Sequence, residues 1–432
     1  MAIKEVWQKR WDALNAELNR MKDEYQAGSN LPRYQSLQAL TQGLQNFAQN
    51  LYLQYVDWFD DNDGIKPPDN YPPEFVLRTL LDQVAYDMTI IQYAAAQRMK
   101  PGPLRDRLAQ ADLLANNALQ KAVNKDFFPN DKGFTALTYF THAPRVRVIP
   151  YATVAIIAIP FTALEVDEDM LAAAHEVGHY VYWHGNFPRP PWQTVKNEGK
   201  DKWLRDWLEE VFADVFSVWV TGPVTGLSIQ DILADNPFEE FCANDGHHPT
   251  TIIRPNIYTH TIAYTHTIAP QHNSWRTHLI ERWEEEKNKV PANFIKDVPR
   301  PGRSSLPADE ILTSTLELVS IVLEQLGDSL APWHLPGDLP EPTLINKTQD
   351  DKTLYDAFSR YLQGLKDTIP DDPKQLNVID LKLPGPGFTG NLRTLAQILD
   401  DVPNSELEWE YVISVGGWAS KGPEQNFPPW PP

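Results

Sequence analysis

One cysteine, Cys242, stands in a chain of 432 residues. That excludes an intramolecular disulfide framework and fits a reducing compartment. Long apolar runs are missing too. The longest nearly apolar stretch, Ala152 to Leu164, is too short to span a bilayer and is interrupted by Thr153, Pro160 and Thr162. Positive charge is scarce. Lys and Arg number 38 against 58 Asp and Glu, and a net charge of −20 excludes the basic footprint of a nucleic-acid surface. The opening residues, MAIKEVWQKRW, carry no apolar segment after their basic residues, so no secretory signal is read. The expected location is the cytoplasm, with no membrane insertion, and export without a cleaved signal stays open. Hydrophobic residues at 42% and charged residues at 22% are the balance of a globular chain with a real core. The length suggests two or three domains.

Apolar spacing predicts four helices in the first 128 residues. Trp7, Trp11, Leu14, Leu18, Met21 and Tyr25 recur at steps of three and four, as one face of a helix requires. Leu37 to Leu51, Leu77 to Ile91 and Leu104 to Ala122 repeat the pattern. The breakers between them are AGSN, DDNDGIKPPDN and KPGP. Short breakers between long amphipathic helices predict an antiparallel bundle over residues 1–128. DDNDG does not make a calcium loop, because such a loop with its glycine at Gly64 would start on Phe59 and end on Asn70.

After Pro129 the character changes. ALTYFT, VRVI and TVAIIAI are rich in β-branched and aromatic residues and punctuated by proline, so they read as strands. TVAIIAIP is either an edge that pairs with an extended peptide or a buried strand with no free edge. Asp167 offers an N-cap for a helix running to Trp183. Further helices are expected over 202–220, 255–269, 274–289 and 308–326. The second domain is drawn at 129–330, and a proline-rich region with short helices at 331–432. The fold class is α+β, predominantly α.

The chemistry concentrates in AAAHEVGHYVYWHG. His175, Glu176 and His179 read H-E-x-x-H, and residues four apart lie on one helix face a turn apart. Both histidines can therefore present a ring nitrogen to one ion, with Glu176 beside them. A catalytic zinc takes three protein ligands and keeps one position for water. His184 is a poor third ligand, because the extended motif needs glycine at 182 and histidine at 185, where this chain has Tyr182 and Gly185. It reads instead as a helix-end residue favoured by the helix dipole.

WLEEVFADVF supplies a better third ligand. At about 100° per residue, Glu210 and Asp214 lie roughly 40° apart and one turn along, whereas Glu209 points about 100° away from Glu210. Glu210 is the expected third ligand, and Asp214 is expected to accept a hydrogen bond from a ligand histidine. Gly178 is expected to permit close packing over the site helix.

HEVGH followed by EVFAD, as E-x-x-A-D, resembles the gluzincin class of zinc metallopeptidases. A third element is DGHHPTTIIR, Asp245 to Arg254. It is similar to the D-x-H-x-P and following arginine of neprilysin-like peptidases, which would make His247 the transition-state histidine. It is also similar to the H-P-x-x-x-x-R of membrane-embedded prenyl-protein peptidases, which matches His248, Pro249 and Arg254. The resemblance covers residues 146–254. It implies a zincin-like domain, zinc on His175, His179 and Glu210, and Glu176 as general base.

The expected function is zinc-dependent hydrolysis of a peptide or protein substrate. Zinc activates a water, Glu176 moves the proton, and the oxyanion needs a further donor. His247 or His248 would supply it, held by Asp245, with Tyr258 as a weaker candidate. Arg254 either grips the substrate or buttresses the site. The rival expectations are an inactive zincin-shaped scaffold and a specialised single-substrate processing protease or toxin. A direct repeat, YTHTIAYTHTIA, places His260, His266 and His272 six apart; on a helix these do not converge, so a local duplication without metal is expected.

Overall fold

The computed structural model describes residues 2–27, 31–60, 73–128, 133–142, 145–147, 153–246, 248–265, 271–295, 297–300, 303–327 and 339–369. His247, His266, the DDNDG breaker beyond its first residue and the proline-rich stretch after residue 369 lie outside them. The described residues are predominantly helical with a small sheet.

The first three predicted helices are present as α1 (Ala2–Ala27), α2 (Tyr34–Asp60) and α3 (Pro73–Ala96), and the fourth as α4 (Pro103–Val123). They do not share one core. Trp7, Trp11, Leu18, Leu40, Leu44, Leu80 and Val84 pack α1–α3 into a layer, whereas Leu108, Ala111, Ala115 and Leu119 of α4 join a second core. The sheet divides the two. It has the order β1-β3-β2, built from β1 (Thr135–Thr141), β2 (Arg145–Arg147) and β3 (Val154–Pro160). Side chains alternate along a strand. Leu137, Tyr139, Ile156 and Ala158 therefore face α1–α3, and Ala136, Phe140, Ala155 and Ile157 face the α4 side.

β3 is the central strand, parallel to β1 and antiparallel to β2, so it is not a free edge. β1 is an edge, and its outward backbone groups are closed by side chains. Asn116 accepts from the Ala136 N–H at 2.9 Å and donates back to its carbonyl at 3.0 Å. Asp112 accepts from the Thr138 N–H at 2.7 Å, while Arg98 donates to the Thr138 carbonyl. Gln97 accepts from the Phe140 N–H at 2.8 Å and donates to its carbonyl at 2.9 Å. These side chains take the place of a fourth strand, which removes the template for edge-to-edge pairing. Among the described residues, β2 pairs with no strand on its other side.

Beyond β3 the chain turns through two short 3-10 segments into α5 (Ala172–His184), which carries H-E-x-x-H. Asp167 does not cap this helix. Its carboxylate pairs with Arg107 of α4, and a 3-10 turn, Asp167–Leu171, leads into α5 instead. There follow α6 (Pro191–Asn197), α7 (Lys202–Thr221), α8 (Pro223–Ala234), α9 (Arg254–Thr265) and α10 (Gln271–Lys289). A hairpin of β4 (Asp297–Arg300) and β5 (Arg303–Pro307) precedes α11 (Ala308–Leu326) and α12 (Lys347–Asp367). Helix α7 is buried along most of its length because α5, α8, α9 and α11 surround it. Among the described residues no helix is long and apolar enough to cross a membrane.

Candidate metal centre

Helices α5 and α7 run antiparallel at close range. His175 meets Asp214, Gly178 meets Ala213, and His179 meets Glu209, so rising numbers on one helix match falling numbers on the other. Their approach depends on small residues at the crossing. A Cβ at Gly178 would stand 2.8 Å from the Ala213 Cα and 3.2 Å from its carbonyl oxygen. Absence of a side chain at 178 and a methyl at 213 thus bring the histidines of α5 onto the carboxylates of α7.

His175, His179 and Glu210 each offer a ligand atom within 4.8 Å of the others, close enough to hold a metal ion. The two Nε2 atoms are 3.1 Å apart, and Glu210 turns one oxygen to each ring at 3.4 Å. Ligands at about 2.0–2.1 Å around a tetrahedral ion stand about 3.3–3.4 Å from one another, so these spacings suit a small metal ion. Glu210 and His179 are buried, with side chains 3% and 7% exposed, while His175 is 17% exposed.

Tautomers sharpen the fit. His179 Nδ1 lies 2.7 Å from a Glu209 oxygen, and an ionised carboxylate can only accept, so the proton sits on Nδ1 and Nε2 carries a lone pair. His175 Nδ1 faces Asp214 Oδ1 at 3.1 Å, close but out of hydrogen-bond alignment. The His179 lone pair and the Glu210 carboxylate thus converge on His175 Nε2, 3.1 Å from His179 Nε2. A proton on that nitrogen, or a metal ion in its place, satisfies them. Burial disfavours a charged His175, but the Asp214 and Glu210 carboxylates overturn that and raise its pKa to about 9.

No family model, curated protein or solved structure matches this chain. The site's meaning rests on its own geometry.

Arg254, at the start of α9, donates twice to Asp214 at 2.8 Å and once to Glu210 at 3.1 Å. Its guanidinium is bonded to carboxylates of α7. Burial opposes the charge on Asp214, yet Arg254 and His175 hold its carboxyl below the usual range. Tyr258, one turn along α9, donates to Asp214 at 2.6 Å and is buried, so its hydroxyl serves Asp214.

His248 stands beside the triad. Asp245 holds it twice, accepting from its backbone N–H at 2.8 Å and bonding ring atom Nδ1. The other ring nitrogen, Nε2, lies 3.6 Å from Glu210 Oε1, and the side chain is 41% exposed. Of the two histidines left open by sequence, His248 is the one seen beside the triad; His247 lies outside the described residues. Glu176 follows His175 on α5 and is buried.

The structure refines two readings of the sequence. The sequence places Glu209 about 100° away from Glu210, yet its carboxylate also reaches the site, at His179. Helical phase fixes where Cα stands, but the side-chain torsions of glutamate carry its head to a ring that Glu210 approaches from the other side. His184 closes α5 as the sequence suggests, but the helix dipole does not govern it there. It is buried, stacks on Tyr180 with ring centroids 4.3 Å apart, and burial pushes its pKa down to about 4. The desolvation cost outweighs the helix dipole, which contributes about 0.3–1 kcal/mol at an exposed end.

Proposed function

We propose that this chain is a zinc-dependent metallopeptidase. The observation that carries the reading is the convergence of His175, His179 and Glu210, with carboxylates behind both histidines and a half-exposed His248 beside them. Bound zinc would supply a Lewis acid and lower the pKa of a coordinated water.

The chain's own residues supply the rest. Glu176, next to the first histidine on α5, is assigned the general base, taking a proton from the attacking water and passing it to the leaving amine. His248, fixed by Asp245 and exposed on one side, would donate through Nε2 to the developing oxyanion. Asp214, Arg254 and Tyr258 form a buried support that fixes Glu210 and faces His175. With the β1 edge closed by side chains, β2 is the strand against which an extended peptide would lie.

Cleavage of a peptide library by the full chain, with and without chelator, tests this. Cleavage that is lost on metal removal, restored by zinc, and reduced at least about 100-fold in Glu176→Gln is the expected result. Zinc binding without cleavage of any peptide or folded protein offered would favour a metal-holding scaffold.

A further inference from the structure

We infer that Glu209 is a positioning residue for the metal, acting through His179; this deepens the metal-centre reading and rests on it. Glu209 Oε1 and His179 Nδ1 are 2.7 Å apart, a charge-assisted hydrogen bond between groups 10% and 7% exposed. On the opposite side of the same ring, Nε2 lies 3.4 Å from Glu210 Oε1. Two consecutive residues of α7 thus straddle one imidazole, the first on the nitrogen that must carry a proton, the second on the nitrogen that must not.

This arrangement does two things that a neutral or absent side chain would not. It selects the Nδ1–H tautomer, because a carboxylate at Nδ1 accepts and cannot donate. It also makes Nε2 a stronger base toward a cation, as an outer carboxylate does for metal-bound histidines. The matching position behind His175 belongs to Asp214, but that carboxylate is shared with Arg254 and Tyr258 and is out of line with His175 Nδ1. His179 is therefore the better-oriented ligand, and Glu209 is what orients it. The placement also has a cost: burying a third carboxylate close to Glu210 and Asp214 is unfavourable by itself, and a divalent cation on the far side of the ring offsets it.

The test is the zinc dissociation constant, measured by chelator competition on the full chain for wild type, Glu209→Gln and Glu209→Ala, with the melting temperature of each metal-free protein. Expected is a 10- to 100-fold weakening in Glu209→Ala. Glu209→Gln should lose less, since its amide oxygen still accepts from Nδ1–H. Cobalt-loaded Glu209→Ala should show an altered visible d–d spectrum, which a packing role away from the metal would leave unchanged. Should Glu209→Ala not fold, Glu209→Gln carries the test through its dissociation constant and cobalt spectrum. Wild-type affinity and an unchanged spectrum in the folded variants would overturn the positioning role while leaving the metal centre intact. A wild-type chain that binds no zinc would overturn both.

Discussion

Gly178 of α5 lies so close to Ala213 of α7 that a Cβ on the glycine would stand 2.8 Å from the alanine Cα. The atom in the way is backbone, so the helices themselves must part to admit it. Because the histidines lie on α5 and Glu209, Glu210 and Asp214 on α7, the spacing of the whole site follows from this contact.

Gly178→Ala is the direct consequence. Alanine favours a helix over glycine by about 1 kcal/mol. Overpacking against a fixed backbone costs about 1–3 kcal/mol and wins here. The variant should melt lower than wild type and hold zinc more weakly. An unchanged melting temperature with full zinc affinity would show that the helices yield without disturbing the site.

The seal on β1 gives a second expectation. Asp112 accepts from the Thr138 N–H and pairs with Arg98, which is 1% exposed. Asp112→Ala leaves a buried guanidinium without that carboxylate, a loss of about 3–5 kcal/mol. Urea unfolding should shift to a much lower midpoint. Asp112→Asn, which keeps an acceptor for Thr138, should fall between the two. A midpoint close to wild type in Asp112→Ala would remove the pair from the fold's support.

His184 predicts an acid limb in stability. Its pKa is about 6.5 unfolded and about 4 folded, so between those values the unfolded chain binds more protons. Stability from this group is complete above about pH 6.5 and falls as pH drops toward 4, by up to about 3 kcal/mol. His184→Phe, which keeps an aromatic ring on Tyr180, should flatten the metal-free stability profile in that window. Profiles that superimpose would mean that His184 is not the group responsible.

How much of this was legible in the sequence differs by element. The helices of the first 128 residues and the site helices were readable, because apolar residues at steps of three and four, and H-E-x-x-H itself, are local patterns. Where those helices go was not readable. Helix α4 is as amphipathic as α1–α3, yet its face is buried against β1 and α5, and periodicity names a buried face without naming its partner. The order of strands was also hidden: TVAIIAIP suited an edge or a centre equally, and the pairing with both β1 and β2 decided it. The reach of Glu209 was hidden because helical phase describes Cα positions while a long side chain chooses its own direction. His184 stands at a helix end as the sequence suggests, but whether such an end is buried depends on what packs over it, which local pattern does not carry.

Metal content of the purified chain tests the central claim most directly, compared across wild type, His175→Ala and Glu210→Gln. The account predicts close to one zinc per chain in wild type, and loss of most of it in both variants, with folding checked by circular dichroism. A folded wild type that holds no zinc, even after zinc is supplied, would contradict it. So would folded variants that retain zinc as wild type does.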